Sequence, residues 1–77
     1  MSNPEEGSVF SVHLPRETVP AIMVHEIDMD TLVAELVNEP FLAREHRFHL
    51  GDRVLVKRHT DMFSSTWEGV EKLDASA

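Results

Sequence analysis

Five histidines, His13, His25, His46, His49 and His59, are the side chains of this 77-residue chain best suited to chemistry. His46 and His49 lie three apart, so a helix there would place both imidazoles on one face, able to chelate a metal with Glu45 or His59. Against this, Phe48-His49-Leu50 runs straight into a Gly51-Asp52 turn signal that separates the pair. No HExxH context surrounds any of the five, and they read as polar surface residues with no metal site. Ser64, Ser65 and Thr66 supply hydroxyls, yet no Gly-x-Ser-x-Gly elbow frames them, and so short a chain rarely encloses a water-excluding pocket. Cysteine is absent, which removes thiol nucleophiles, thiolate zinc sites and disulfides together. The expectation is a non-enzymatic protein with no catalytic residue and no cofactor.

The histidines have a second use, as a charge switch. Below pH ~6.5 they can offset most of the formal net charge of −7, which predicts stronger self-association near the isoelectric point. That net charge is unevenly spread. Residues 1–39 carry eight acids (Glu5, Glu6, Glu17, Glu26, Asp28, Asp30, Glu35, Glu39) against Arg16 alone, whereas residues 40–77 are neutral. Within 44–59, Arg44, Arg47, Arg53, Lys57 and Arg58 outnumber Glu45 and Asp52. This pattern suggests an acidic face (Glu26, Asp28, Asp30, Glu35, Glu39) and a basic face (Arg44, Arg47, Arg53, Lys57, Arg58) on one small molecule. Large apolar residues in the polar stretch 60–66, Met62 and Phe63, together with the lone Trp67, are candidate interface anchors, although a single Trp in a small β domain commonly belongs to the core.

These groups must be positioned by a single domain over 9–73, with 1–8 as a flexible tail and 74–77 as a frayed end. Phe10, Val12 and Leu14 alternate with Ser11 and His13, the period of a half-buried strand. Pro15 and Pro20 bracket a turn, and Ala21 to Ile27 reads as a second strand. Met29, Leu32, Val33, Leu36 and Val37 fall at helical spacing, with Asp28 or Asp30 as an N-cap and Asn38-Glu39-Pro40 as the stop, so the spacing predicts an amphipathic helix over 28–38. A short helix over 41–47, a strand over 53–59 and a last strand over 67–73 with Gly69 as a kink or bulge complete the order. The expected fold is α+β: a small, twisted, mostly antiparallel sheet of about four strands packed against one helix.

The phrase Phe48-His49-Leu50-Gly51-Asp52-Arg53-Val54-Leu55-Val56 resembles the opening strand of small barrels of the SH3-like, KOW-like and PUA-like kinds. The resemblance covers about a dozen residues, recurs in unrelated families, and implies a partial barrel in the C-terminal half rather than a function.

No run approaches the ~20 apolar residues needed to span a bilayer, and the opening Met1-Ser2-Asn3-Pro4-Glu5-Glu6 is the opposite of a signal peptide. A soluble, cytoplasmic protein without membrane partners is expected. A core this small supplies ~3–5 kcal/mol, so a homodimer or a protein partner is the expected staple. The composition suits a small acidic adaptor or inhibitor that docks on a basic partner surface, such as a nucleic-acid-binding protein, by analogy with phage and mobile-element accessory proteins. The alternatives are a nucleic-acid-binding barrel using the basic stretch, with Phe48 or Trp67 for stacking, and a subunit of a symmetric assembly. Nucleic acid is the less favoured partner because of the net charge.

Overall fold

The computed structural model describes residues 3–73; the expected frayed end, 74–77, lies outside them. Five strands, β1 (Val9–Leu14), β2 (Glu17–Asp28), β3 (Thr31–Leu36), β4 (Arg53–Thr60) and β5 (Ser65–Leu73), form a closed barrel in chain order, with one helical turn, α1 (Ala43–His46), between β3 and β4. All sequential neighbours are antiparallel, and β5 returns to β1 in parallel through one bridge, His13 to Glu68. This corrects the α+β expectation of four strands under a helix. A barrel is compatible with the SH3-like resemblance, but it takes in both halves of the chain.

The segment expected to be a helix over 28–38 is the end of β2, a tight turn and β3. Along Thr31–Leu36 burial alternates strictly, with Leu32, Ala34 and Leu36 inside and Thr31, Val33 and Glu35 outside. Leu32 and Leu36 are four apart, which satisfies a period of two as well as 3.6. The β-branched Thr31 and Val33 favour extended backbone, and pairing with β2 on one side and β4 on the other satisfies the strand's peptide groups. Met29, the first residue of the supposed stripe, sits at the turn and is 79% exposed. Asp28 does cap a backbone group, but Oδ1 accepts the Asp30 N–H at 2.8 Å to close a hairpin turn instead of a helix.

The interior is aliphatic: Val12 and Leu14 from β1, Val19, Ala21 and Met23 from β2, Leu32, Ala34 and Leu36 from β3, and Val54 and Val56 from β4. Phe48 closes one end, while Phe10 and Trp67 pack on the side. The alternation of β1 is borne out, as is the turn of helix inside 41–47. Pro20 lies within β2, opposite Ser11, rather than in a turn. Its carbonyl accepts the Val37 N–H just beyond β3, so the missing proline N–H faces the point where that ladder ends. The real turn is Pro15-Arg16, with Arg16 at φ 67° in the left-handed region.

Gly69 is where β5 comes close upon β1 side chains. The β4–β5 register shifts beside it, and a Cβ there would come within 2.7 Å of Leu14 Cδ2 across the closing seam. The absence of a side chain lets β5 cross β1 at this distance. Residues 3–8 extend along β2: Gly7 donates to the Met23 carbonyl, and Met23 donates to that of Ser8.

Candidate functional site

The barrel has two unlike ends. The hairpin end carries the β2–β3 turn around Met29-Asp30 and the β4–β5 turn around Met62-Phe63. The helix end carries the Pro15-Arg16 turn and the linker with α1.

At the hairpin end the β4–β5 turn is held by one carboxylate. Asp61 Oδ1 accepts the N–H groups of Phe63 and Ser64, both at 2.9 Å, and the Asp61 N–H donates to the Ser64 carbonyl. The backbone bonds from Phe63 and Ser64 hold the Asp61 carboxyl below the usual range. The turn thrusts Met62 and Phe63 into solvent, 87% and 92% exposed. Burying either on this chain would require the hairpin to fold back, and those three bonds oppose it. Trp67, the third expected anchor, is half-buried: Phe10 meets it edge-on at 6.3 Å, and the Arg58 guanidinium lies 4.5 Å over its ring.

Arg58 is the central tie of this end. It donates to Asp30 Oδ1 and to the Met29 carbonyl, each at 3.1 Å, and to Asn3 Oδ1. Asn3 in turn donates to Glu26 Oε1 at 2.7 Å and to the Met29 carbonyl. One guanidinium therefore joins the N-terminal segment, the β2–β3 turn and Trp67.

The five expected acidic-face residues do not form one face. Glu26, Asp28 and Asp30 meet at the hairpin end. Glu35 lies on the barrel wall, 3.7 Å from Arg53 on the neighbouring strand. Glu39 belongs to the helix end, where it accepts the Leu50 N–H at 2.7 Å and faces His49 Nδ1 at 3.1 Å. The Leu50 bond, then the His49 bond, keep the Glu39 carboxyl low. The basic residues are divided as well: Arg44 lies in α1 and Arg47 at its C-terminal cap, Arg53 and Lys57 point outward on β4, and Arg58 is turned onto Trp67. Across the antiparallel β3–β4 ladder Glu35 stands opposite Arg53, so one acid and one base that the sequence separates are neighbours in the fold.

At the helix end sits a pair that no sequence pattern signalled. Glu17 Oε1 and Oε2 accept the N–H groups of Phe41 at 2.9 Å and Leu42 at 2.7 Å, and His46 Nε2 meets Oε2 at 2.7 Å. His46 Nδ1 accepts the Phe48 N–H at 3.1 Å, which assigns the proton to Nε2, facing Glu17. Burial raises the Glu17 pKa, but the His46, Leu42 and Phe41 bonds outweigh it and leave the carboxyl below its ordinary value. The side chains are 10% and 4% exposed, so this pair locks α1 onto β2 and is not presented to a ligand. Glu17 has no local signal because its partners are some 25 residues away in sequence. Asp61 had one: Asp followed by Ser three residues on, in a polar turn.

The three histidines considered for metal binding face different glutamates: His46 with Glu17, His49 with Glu39, and His59 with Glu68. Among the described residues no three His, Asp or Glu side chains converge as a metal site. No helix there is long and apolar enough to cross a membrane.

No family model, curated protein or solved structure matches this chain. The fold places an exposed apolar tip, Met62-Phe63, at the same end of the barrel as Glu26, Asp28 and Asp30.

Proposed function

We propose that the protein is a non-enzymatic interaction module whose hairpin end docks on a basic surface of a protein partner. The observation that carries this reading is how the charges are used. Arg16, Arg53, Arg58 and Lys72 pair internally with Glu45, Glu35, Asp30 and Asp52, whereas Glu26 and Asp28 stay exposed beside Met29 at the tip of the β2–β3 turn. Exposed Glu5 and Glu6 lie on the same side, where the N-terminal segment follows β2 toward Asn3. A field of one sign around an apolar anchor suits a partner of opposite charge, raising the association rate and setting orientation. The nucleic-acid alternative draws less support. Phe48 is buried in the core, Trp67 is covered by Arg58 on one side, and Arg53 and Arg58 already have carboxylate partners.

Affinity capture from an extract of the native cells, at low and high salt, tests this reading. The bait carries Glu26→Lys and Asp28→Lys; because Glu26 accepts from Asn3 and Asp28 from the Asp30 N–H, Glu26→Gln with Asp28→Asn, which removes the charge and keeps both acceptors, is run beside it. The specific partner is expected to be lost in the double variant while its circular dichroism is unchanged. Undiminished capture by a folded double variant rules out the hairpin-end carboxylates as the docking surface.

A further inference from the structure

The chain has no cysteine, so its most oxidisable sulfur is the methionine thioether. Three of its four methionines, Met23, Met29 and Met62, lie among the described residues, and the fold sorts them sharply. Met23 points into the barrel and is 3% exposed. Met29 and Met62 are 79% and 87% exposed, one on the β2–β3 turn and the other on the β4–β5 turn, at the same end. Neither turn takes its shape from the methionine side chain. Asp28 and Arg58 hold the first through the Asp30 N–H and the Met29 carbonyl. Asp61 holds the second through the N–H groups of Phe63 and Ser64. A chemical change at either sulfur therefore alters the surface without loosening the barrel.

We infer that Met29 and Met62 form a paired modification site, where a hydroperoxide turns the apolar surface of the hairpin end polar and switches docking off. The inference rests on the reading of that end as the docking surface and adds its regulation. The chemistry needs no catalytic residue of this chain. A thioether sulfur attacks one oxygen of hydrogen peroxide, forming an S–O bond as the O–O bond breaks. The hydroxysulfonium proton then passes to the departing hydroxide, which leaves as water. Sulfur gives up two electrons and the peroxide takes them. The product is a sulfoxide, a strong hydrogen-bond acceptor that must shed water to enter an apolar contact. Phe63 is not attacked, so the tip keeps its shape and one of its anchors.

Hydrogen peroxide applied to the pure, folded protein, followed by peptide-mapped mass spectrometry over time, tests the site. Met29 and Met62 are expected to gain one oxygen each while Met23 reacts more than about tenfold more slowly, until urea unfolds the chain and levels the three. The thermal midpoint of the oxidised protein is expected within about 3 °C of the untreated one. Oxidised bait in the native-cell extract is expected to need about tenfold more protein for half-capture of the partner. Treatment with both stereospecific methionine sulfoxide reductases should restore it. Met29→Leu with Met62→Leu keeps the apolar surface without the reactive sulfurs, and is expected to capture equally before and after peroxide. Oxidation of Met23 in step with the other two overturns the inference, as does a midpoint that collapses on oxidation. Equal loss of capture in the leucine double variant overturns it too. Undiminished capture by oxidised wild type, where reversing Glu26 and Asp28 still abolishes it, removes this switch alone. An untreated bait that captures no specific partner, or whose capture ignores that reversal, removes the proposed function and the switch with it.

Discussion

Replacing Arg58 by alanine should cost the barrel more than half of its stability. The side chain is 18% exposed and makes three kinds of contact. Its guanidinium over Trp67 is worth ~0.5–1 kcal/mol at a partly solvated site. The charge-assisted bond to the Met29 carbonyl contributes about 1.5 kcal/mol, and the pair with Asp30, whose carboxylate is 74% exposed, adds only a few tenths. The total of about 2–3 kcal/mol stands against ~3–5 kcal/mol for a core of this size. At ~4–8 °C per kcal/mol, the midpoint should fall by roughly 10–20 °C. Trp67 is the single tryptophan, so its fluorescence reports both the unfolding curve and its own loss of cover. Urea melts followed at this signal should show an earlier midpoint with a similar slope, and a red-shifted emission before any denaturant is added. Lysine at 58 keeps the charge but not the fork, and should recover about half of the loss. A midpoint for Arg58→Ala within about 3 °C of wild type would refute the idea that this residue ties the hairpin end together.

Three further outcomes follow from the same structure. The Glu17, Glu39 and Asp61 carboxyls titrate below their ordinary values of 4.5, 4.5 and 3.8 when folded. The unfolded chain therefore binds protons first, and stability that is full above about pH 4.5 is lost as pH falls through the lower folded values; the urea midpoint should drop more steeply there for wild type than for Glu17→Gln, and equal slopes would count against the Glu17 lock. Gly69→Val drives a side chain toward Leu14 at the seam, with an expected cost of ~1–3 kcal/mol by denaturant melt; an unchanged midpoint would show that the seam has slack. Leu36→Ala should cost ~2–5 kcal/mol and Met29→Ser less than ~0.5 kcal/mol, whereas a helical stripe would penalise both; comparable losses would contradict the strand assignment of 31–36.

The strands over 9–14 and 53–59 were legible because their apolar residues alternate inward and outward, whereas 67–73 was read from Trp67, Val70 and Leu73 and does not alternate in the fold. Thr31–Leu36 was not legible. Over six residues, Leu32 and Leu36 satisfy either period, and an aspartate before an apolar run closes a hairpin as readily as it caps a helix. Only pairing with β2 and β4, which is set by residues far along the chain, decides between them. The candidate site was legible in kind but not in layout. Exposed Met62 and Phe63 could be anticipated from two large apolar residues in a polar turn, and the structure does expose them. The two charged faces could not be anticipated correctly, because a strand ladder set Glu35 against Arg53 and a turn set Asp30 against Arg58. Sequence proximity counted those charges as segregated, while the fold made them neighbours. Glu17 was silent for the same reason.

The account rests on the hairpin end being the surface that meets other molecules. A photo-crosslinking phenylalanine analogue at position 63, compared with the same analogue at the fully exposed position 41 of the opposite end, tests it most directly in native-cell extract. A discrete crosslinked species from position 63, weakened by high salt and by Glu26→Lys with Asp28→Lys, is the predicted result. Discrete crosslinks from position 41 alone, or products from position 63 that ignore both salt and charge reversal, would contradict it.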